Sequence, residues 1–68
     1  MLEPIEDSTH LAAAGWEGGI LTIQFHSGDV YEYHDVPAGV FHELMASPSK
    51  GTYFRAEIKG SYEYAKVG

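Results

Sequence analysis

The chain contains no cysteine. Disulfides and thiolate metal sites are therefore excluded, and the composition fits a reducing compartment. No apolar run is long enough to cross a bilayer, and no charged-then-apolar leader opens the sequence. The cytoplasm is the expected location, and no membrane association is expected. Cations are scarce and come late. Residues 1–49 hold eight carboxylates and no Lys or Arg, whereas Lys50, Arg55, Lys59 and Lys66 follow, opposed there only by Glu57 and Glu63. A net charge of −6 argues against nucleic-acid binding through the overall field. The segregation of charge along the chain carries more information than the total.

What is present describes one small domain. A hydrophobic content of 44% is that of a globular chain and argues against disorder. A domain of this size buries only about 60% of its unfolded surface. Its core is then worth about 3–5 kcal/mol without a metal, a disulfide or a partner. A monomer or a weak homo-oligomer is expected.

Ile20 to His26 alternates, with Leu21, Ile23 and Phe25 on one face and Thr22 and Gln24 on the other. After Ser27-Gly28-Asp29, Val30 to Asp35 alternates again, so the two segments form a β-hairpin. Leu11-Ala12-Ala13-Ala14 is too short for periodicity to decide and is taken as a first strand, closed by the glycines after Trp16. Pro37 occupies a first helical position, and Asp35 offers its carboxylate to the first turn. Val40, Phe41, Leu44 and Met45 form one stripe of an amphipathic helix that ends before Pro48. Thr52 caps a second helical turn on which Phe54 and Ile58 share a face, and Gly60 ends it.

The expected architecture is α+β. A three-stranded antiparallel meander near 8–16, 20–26 and 30–35 is covered on one face by a helix at 37–46, and a short second helical turn follows at 52–59. Residues 1–7 are a loose lead-in, and 8–68 form the domain. Ser61 to Val67 is extended, and either adds to a sheet edge or packs over the helix.

Tyr31 and Tyr33, two residues apart, share one strand face. On an open sheet such rings stack unpaired bases. Glu32 and His34 on the opposite face are polar, so alternation favours buried rings under the helix stripe, with hydroxyls near the rim.

The order of the Gly turn, Tyr31-Glu32-Tyr33, Val36-Pro37, Val40-Phe41, Ser49-Lys50-Gly51 and Tyr53-Phe54 resembles the KTSC domain. That family is named after the C-terminal domain of some lysyl-tRNA synthetases and also occurs as a stand-alone bacterial domain. The likeness runs from roughly Ser8 to Tyr62. It implies that Tyr31, Tyr33, Pro37, Ser49, Lys50, Gly51, Tyr53 and Phe54 are motif positions, with no catalytic role for any. Through the synthetase association it implies RNA as a ligand.

The residues themselves point to a binding module rather than an enzyme. Lys50, Gly51, Tyr53, Arg55 and Lys59 are the candidate binding residues, because a turn lysine before a helix start attracts a phosphate or another small anion. With so few cations, RNA affinity is expected to be weak and its salt dependence shallow. The alternative is a protein-interaction module that uses a sheet edge or an aromatic patch near Trp16. His10, His26, His34 and His42 lack metal-site spacing, so no metal and no cofactor are expected. No serine lies in a nucleophile elbow. Glu32 and Glu43 are solvated and form no acid–base pair.

Overall fold

In the computed structural model, which describes residues 2–68, one antiparallel sheet runs in chain order through five strands. They are β1 (Glu3–Pro4), β2 (Leu11–Glu17), β3 (Ile20–Phe25), β4 (Val30–Tyr33) and β5 (Tyr64–Lys66). The helices are α1 (Ala38–Ala46) and α2 (Lys50–Tyr53), the latter continuing as a π-helical segment over Phe54–Ile58. The class is α+β, as expected, but the sheet has five strands rather than three. Among the described residues, no helix is long and apolar enough to cross a membrane.

The two added strands come from segments whose pairing local pattern does not disclose. Of the lead-in expected at 1–7, Met1 lies outside the described residues, while Glu3 and Pro4 pair with Ala14 and Ala13. The Ile5 amide donates to Ala12 O at 2.9 Å, and the Ile5 side chain lies in the core. An edge strand tolerates Pro4 because one side of its ladder needs no donor. The C-terminal segment takes the edge position, with Tyr64 opposite Tyr33 and Lys66 opposite Tyr31.

β2 carries a bulge between Leu11 and Ala13. Leu11 pairs with Phe25 and Ala14 with Ile23, so both face the core although they are three positions apart. The extra residue, Ala12, restores the phase that strict alternation would lose. The β2–β3 turn places Gly18 and Gly19 at φ 58 and 89. Positive φ at both loop residues matches the twist of a two-residue hairpin and is open to glycine at no steric cost.

The strand-to-helix junction differs from the expected one. Pro37, extended at ψ 149, is the residue before the helix, and no side chain caps α1. Asp35 instead adopts φ 59, a left-handed conformation that Asp tolerates, and is exposed. Val36 anchors the junction. Its amide donates to Gly19 O at 2.9 Å, and its carbonyl accepts the Trp16 indole N–H at 2.7 Å. The second helical stretch starts at Lys50 rather than Thr52. Ser49 precedes it, and Thr52 lies inside, accepting from the Ser49 hydroxyl at 2.8 Å. The Lys59 amide closes onto Phe54 O, five residues back, at 2.8 Å. Gly60, at φ 84, then ends the helix as expected.

Leu11, Leu21, Ile23, Leu44, Ile58 and Val36 are almost fully enclosed and centre the core on one sheet face. Each such side chain contributes about 1.5–3 kcal/mol by burial. The opposite face, with Thr22, Gln24 and Glu32 half-buried, has no helix over it.

The core role of Ile5 yields a measurable outcome. Ile5→Ala should lower unfolding free energy by about 2–4 kcal/mol, whereas Leu2→Ala should cost less than about 1 kcal/mol. Urea denaturation of both variants measures the difference; equal midpoints would show that the Ile5 side chain contributes nothing to the core.

Candidate functional site

The sheet face that carries the core is covered unevenly. Toward β4 and β5 it opens into a cleft of about 410 Å³. Its aromatic lining comes from four strand positions and one helical one: Phe25, Tyr31, Tyr33, Tyr64 and Phe54. Alternation and register put the strand rings there, since Ile23 pairs with Tyr31, Leu21 with Tyr33, and Tyr33 with Tyr64. The π-helical turn brings Phe54 down onto them.

The rings touch one another closely. Phe54 meets Tyr33 and Phe25 edge-on with centroids 5.6 Å apart. Tyr64 lies 5.6 Å from both Tyr31 and Tyr33. Their exposure is graded. Tyr33 is 4% exposed, Tyr31 is half-buried, and Tyr64 is 60% exposed. Thus Tyr33 is a core ring as expected, while Tyr31 lines an open cleft. The rings packed on this pair are Phe25, Phe54 and Tyr64 rather than the α1 stripe.

The basic residues border this cleft and its continuation. Lys59 and Gly60 line the aromatic cleft itself. Lys59, Arg55 and Gly51 line an adjoining one that shares Phe25, Phe54 and His10 with the first. Arg55 and Lys59 are exposed and form no ion pair among the described residues. Lys50 is differently placed. Its ammonium donates to Ser47 O at 3.1 Å and lies 3.7 Å from Asp7, with only 14% of the side chain exposed. Lys66 pairs with Asp29 at 3.5 Å.

The remaining predicted positions are dispersed. Tyr53 donates its hydroxyl to Glu43 Oε1 at 3.0 Å, tying α2 to α1 away from the aromatic cleft. Loss of hydration, followed by this bond and the nearby carboxylates, raises its phenol pKa. Ser49 stands at the start of α2 and Pro37 at the start of α1. Trp16 is half-buried with its indole N–H spent on Val36. His26 and Ser27 both line the cleft but do not pair. His26 Nε2 lies 3.0 Å from Ser8 O, and the Ser27 hydroxyl donates to Asp29 at 3.3 Å. Among the described residues, no Ser–His side-chain hydrogen bond of the kind acyl transfer uses is formed. Among the described residues, no cluster of three His, Asp or Glu side chains is arranged to hold a metal.

Sequence reasoning missed Phe25, His10 and Tyr64 as cleft residues. The available signal for Tyr64 was its spacing from Tyr62, a strand-like repeat whose pairing partner only the fold supplies.

The KTSC domain family model matches residues 7–62. Similar stretches occur in lysine–tRNA ligases, including that of Trichormus variabilis, 51% identical over 47 residues, which are 69% of this chain and 8% of the ligase. The chain thus spans only a small fraction of those relatives. A protein of Tsukamurella paurometabola is 35% identical over 60 residues, 85% of this chain and 88% of the relative. The crystal structure of a KTSC domain protein from Yersinia pestis matches with a TM-score of 0.94 at 30% identity, covering 100% of this chain and 97% of that one.

Burial of Tyr33, followed by the neighbouring phenols of Tyr31 and Tyr64, pushes its pKa up to about 12. A phenol raised above its ordinary value favours folding in the protonated form. Its contribution is fully present below about pH 10 and is lost as pH rises toward 12. Alkaline titration followed by phenolate absorbance should show a latest-titrating tyrosine that is missing from Tyr33→Phe. The variant's stability should also vary less with pH across that window. A single unresolved titration near the ordinary value would contradict the burial argument.

Proposed function

Because the chain belongs to the KTSC domain family, we propose that it is a non-enzymatic binding module whose ligand is RNA, held weakly at the border of the aromatic cleft. One observation carries this reading: Arg55 and Lys59, free of carboxylate partners among the described residues, stand beside an aromatic-lined groove. Cations next to exposed rings are the usual composition of surfaces that follow a single strand. A homologous stretch within lysine–tRNA ligases, whose named substrate is a tRNA, supports the same direction. Lys50 is a lesser contributor, because its charge is answered by Asp7 and Ser47.

A second reading is contact with a basic protein through the outer sheet face. Register places Glu17, Thr22 and Glu32 there and all four cations elsewhere. The same charge opposes self-association through that face, and the internal hydrogen bond of Trp16 counts against a tryptophan-centred patch.

Fluorescence anisotropy with labelled single-stranded RNA and tRNA at low salt tests the RNA reading. Binding should weaken at least about fivefold on Arg55→Ala/Lys59→Ala, with a shallow log–log salt slope of about −1 to −1.5 for two phosphate contacts. Lys50→Ala should change affinity by less than about twofold, since that ammonium is already paired. No saturation at high micromolar protein, or affinity indifferent to the double substitution, rejects the reading. Binding of a lysine-rich peptide that disappears in Glu17→Lys/Glu32→Lys would favour the outer face instead.

A further inference from the structure

Tyr64 is the least economical residue in the domain. It places a large ring, 60% exposed, on a three-residue edge strand. The ring is nevertheless held in position. Its centroid lies 5.6 Å from those of Tyr31 and Tyr33, and the Tyr31 ring is in turn braced edge-on by Phe25 at 5.6 Å and 87°. Tyr33 is held edge-on by Phe54. A ring fixed by its neighbours loses little entropy when another planar group settles on it. The spacing within the trio leaves no gap for an inserted ring, so stacking is open only on the solvent side.

The cleft beside this trio has the scale of a small-ligand site, at the lower end of roughly 300–1,000 Å³. It is too small for a duplex groove and large enough for one base with its sugar. Lys59 lines it and Arg55 lies in the adjoining one, so a phosphate attached to that base meets a cation. The phenol hydroxyls of the trio supply donors and acceptors at the same place.

We propose that Tyr64 and Tyr31 form a stacking platform for a single unpaired nucleobase, so that the ligand is single-stranded RNA or a looped-out nucleotide and not a duplex. This rests on the RNA reading and names the part of the RNA that is recognised. Affinity comes from one stacked base, with Arg55 and Lys59 holding the flanking phosphates.

The test compares four probes by anisotropy: single-stranded RNA, the same strand with abasic sites, a duplex of equal length, and inorganic polyphosphate. Ring-proton NMR with adenosine monophosphate reads the platform directly. Single-stranded RNA should bind about five- to hundredfold more tightly than the abasic strand, the range for one stacked base, and more tightly than the duplex. Tyr64→Leu, which keeps apolar cover, should lose that preference, and Tyr64→Phe should retain it. Urea melts of both variants confirm that each is folded. Adenosine monophosphate should shift the Tyr31 and Tyr64 ring protons upfield. Equal binding of intact, abasic and polyphosphate ligands overturns the platform while leaving the cationic reading intact. Loss of all RNA binding with the nucleotide shifts preserved overturns the RNA reading and keeps the base site. Absence of both overturns the proposal.

Discussion

A five-stranded sheet presents more surface than this chain has helix to cover. α1 contributes nine residues, and α2 with its π-helical continuation another nine. Burial of apolar area is the main driving force for the fold, yet the coverable area is limited by helix length. The chain covers the β2–β3 half of one face, where small and aliphatic residues permit close approach, and leaves the β4–β5 half to its own aromatic rings. The cleft is thus a consequence of sheet width exceeding helix supply. Rings are suited to such a margin, because each seals a large area and keeps a polar atom toward water.

The same constraint sorts the charge. All four cations sit in the last third of the sequence, which folds into the helix over the cleft and the edge strand beside it. Eight of the ten carboxylates come earlier, and Glu17 and Glu32 fall on the outer sheet face. A chain with net charge −6 thereby acquires one locally basic border. At physiological ionic strength fields between exposed charges fade over roughly 8 Å, so this local border matters more to a ligand than the total.

The sequence made legible whatever depended on period or on a single stiff residue. The β3–β4 hairpin followed from alternation, the end of the second helical stretch from Gly60, and α1 from the Val40–Met45 stripe. It failed where placement depended on distant pairing. β1 is two residues long and begins one position before a proline, so it has no pattern to detect. The edge placement of β5 was one of the two expected for Ser61 to Val67, and choosing between them needs β4 as a template. The bulge at Ala12 defeats alternation altogether, because Leu11 and Ala14 share a face at odd spacing. For the basic residues, sequence could group Lys50, Arg55 and Lys59 but could not tell that Asp7, forty-three positions before Lys50, would answer one of the three. Asp35 looked like a cap by type and position, but the path into Pro37 required a left-handed turn there.

Tyr31 and Tyr33 show the limit of face-level reasoning most clearly. Alternation gives two residues the same side of a strand and says nothing of their depth. Depth is set by what lies above each. Tyr33 is near the end of β4, where Phe54 closes over it and Val36 pins the following chain. Tyr31 is nearer the sheet margin, where its cross-strand neighbour is Lys66 and its covering ring is the exposed Tyr64. One tyrosine is therefore a structural residue whose phenol pKa is pushed up to about 12 by burial, and the other borders water. The Tyr-x-Tyr motif spans the boundary between core and surface, and its two halves do different physical work because the helical Phe54 packs on Tyr33, whereas among the described residues no helical ring packs on Tyr31.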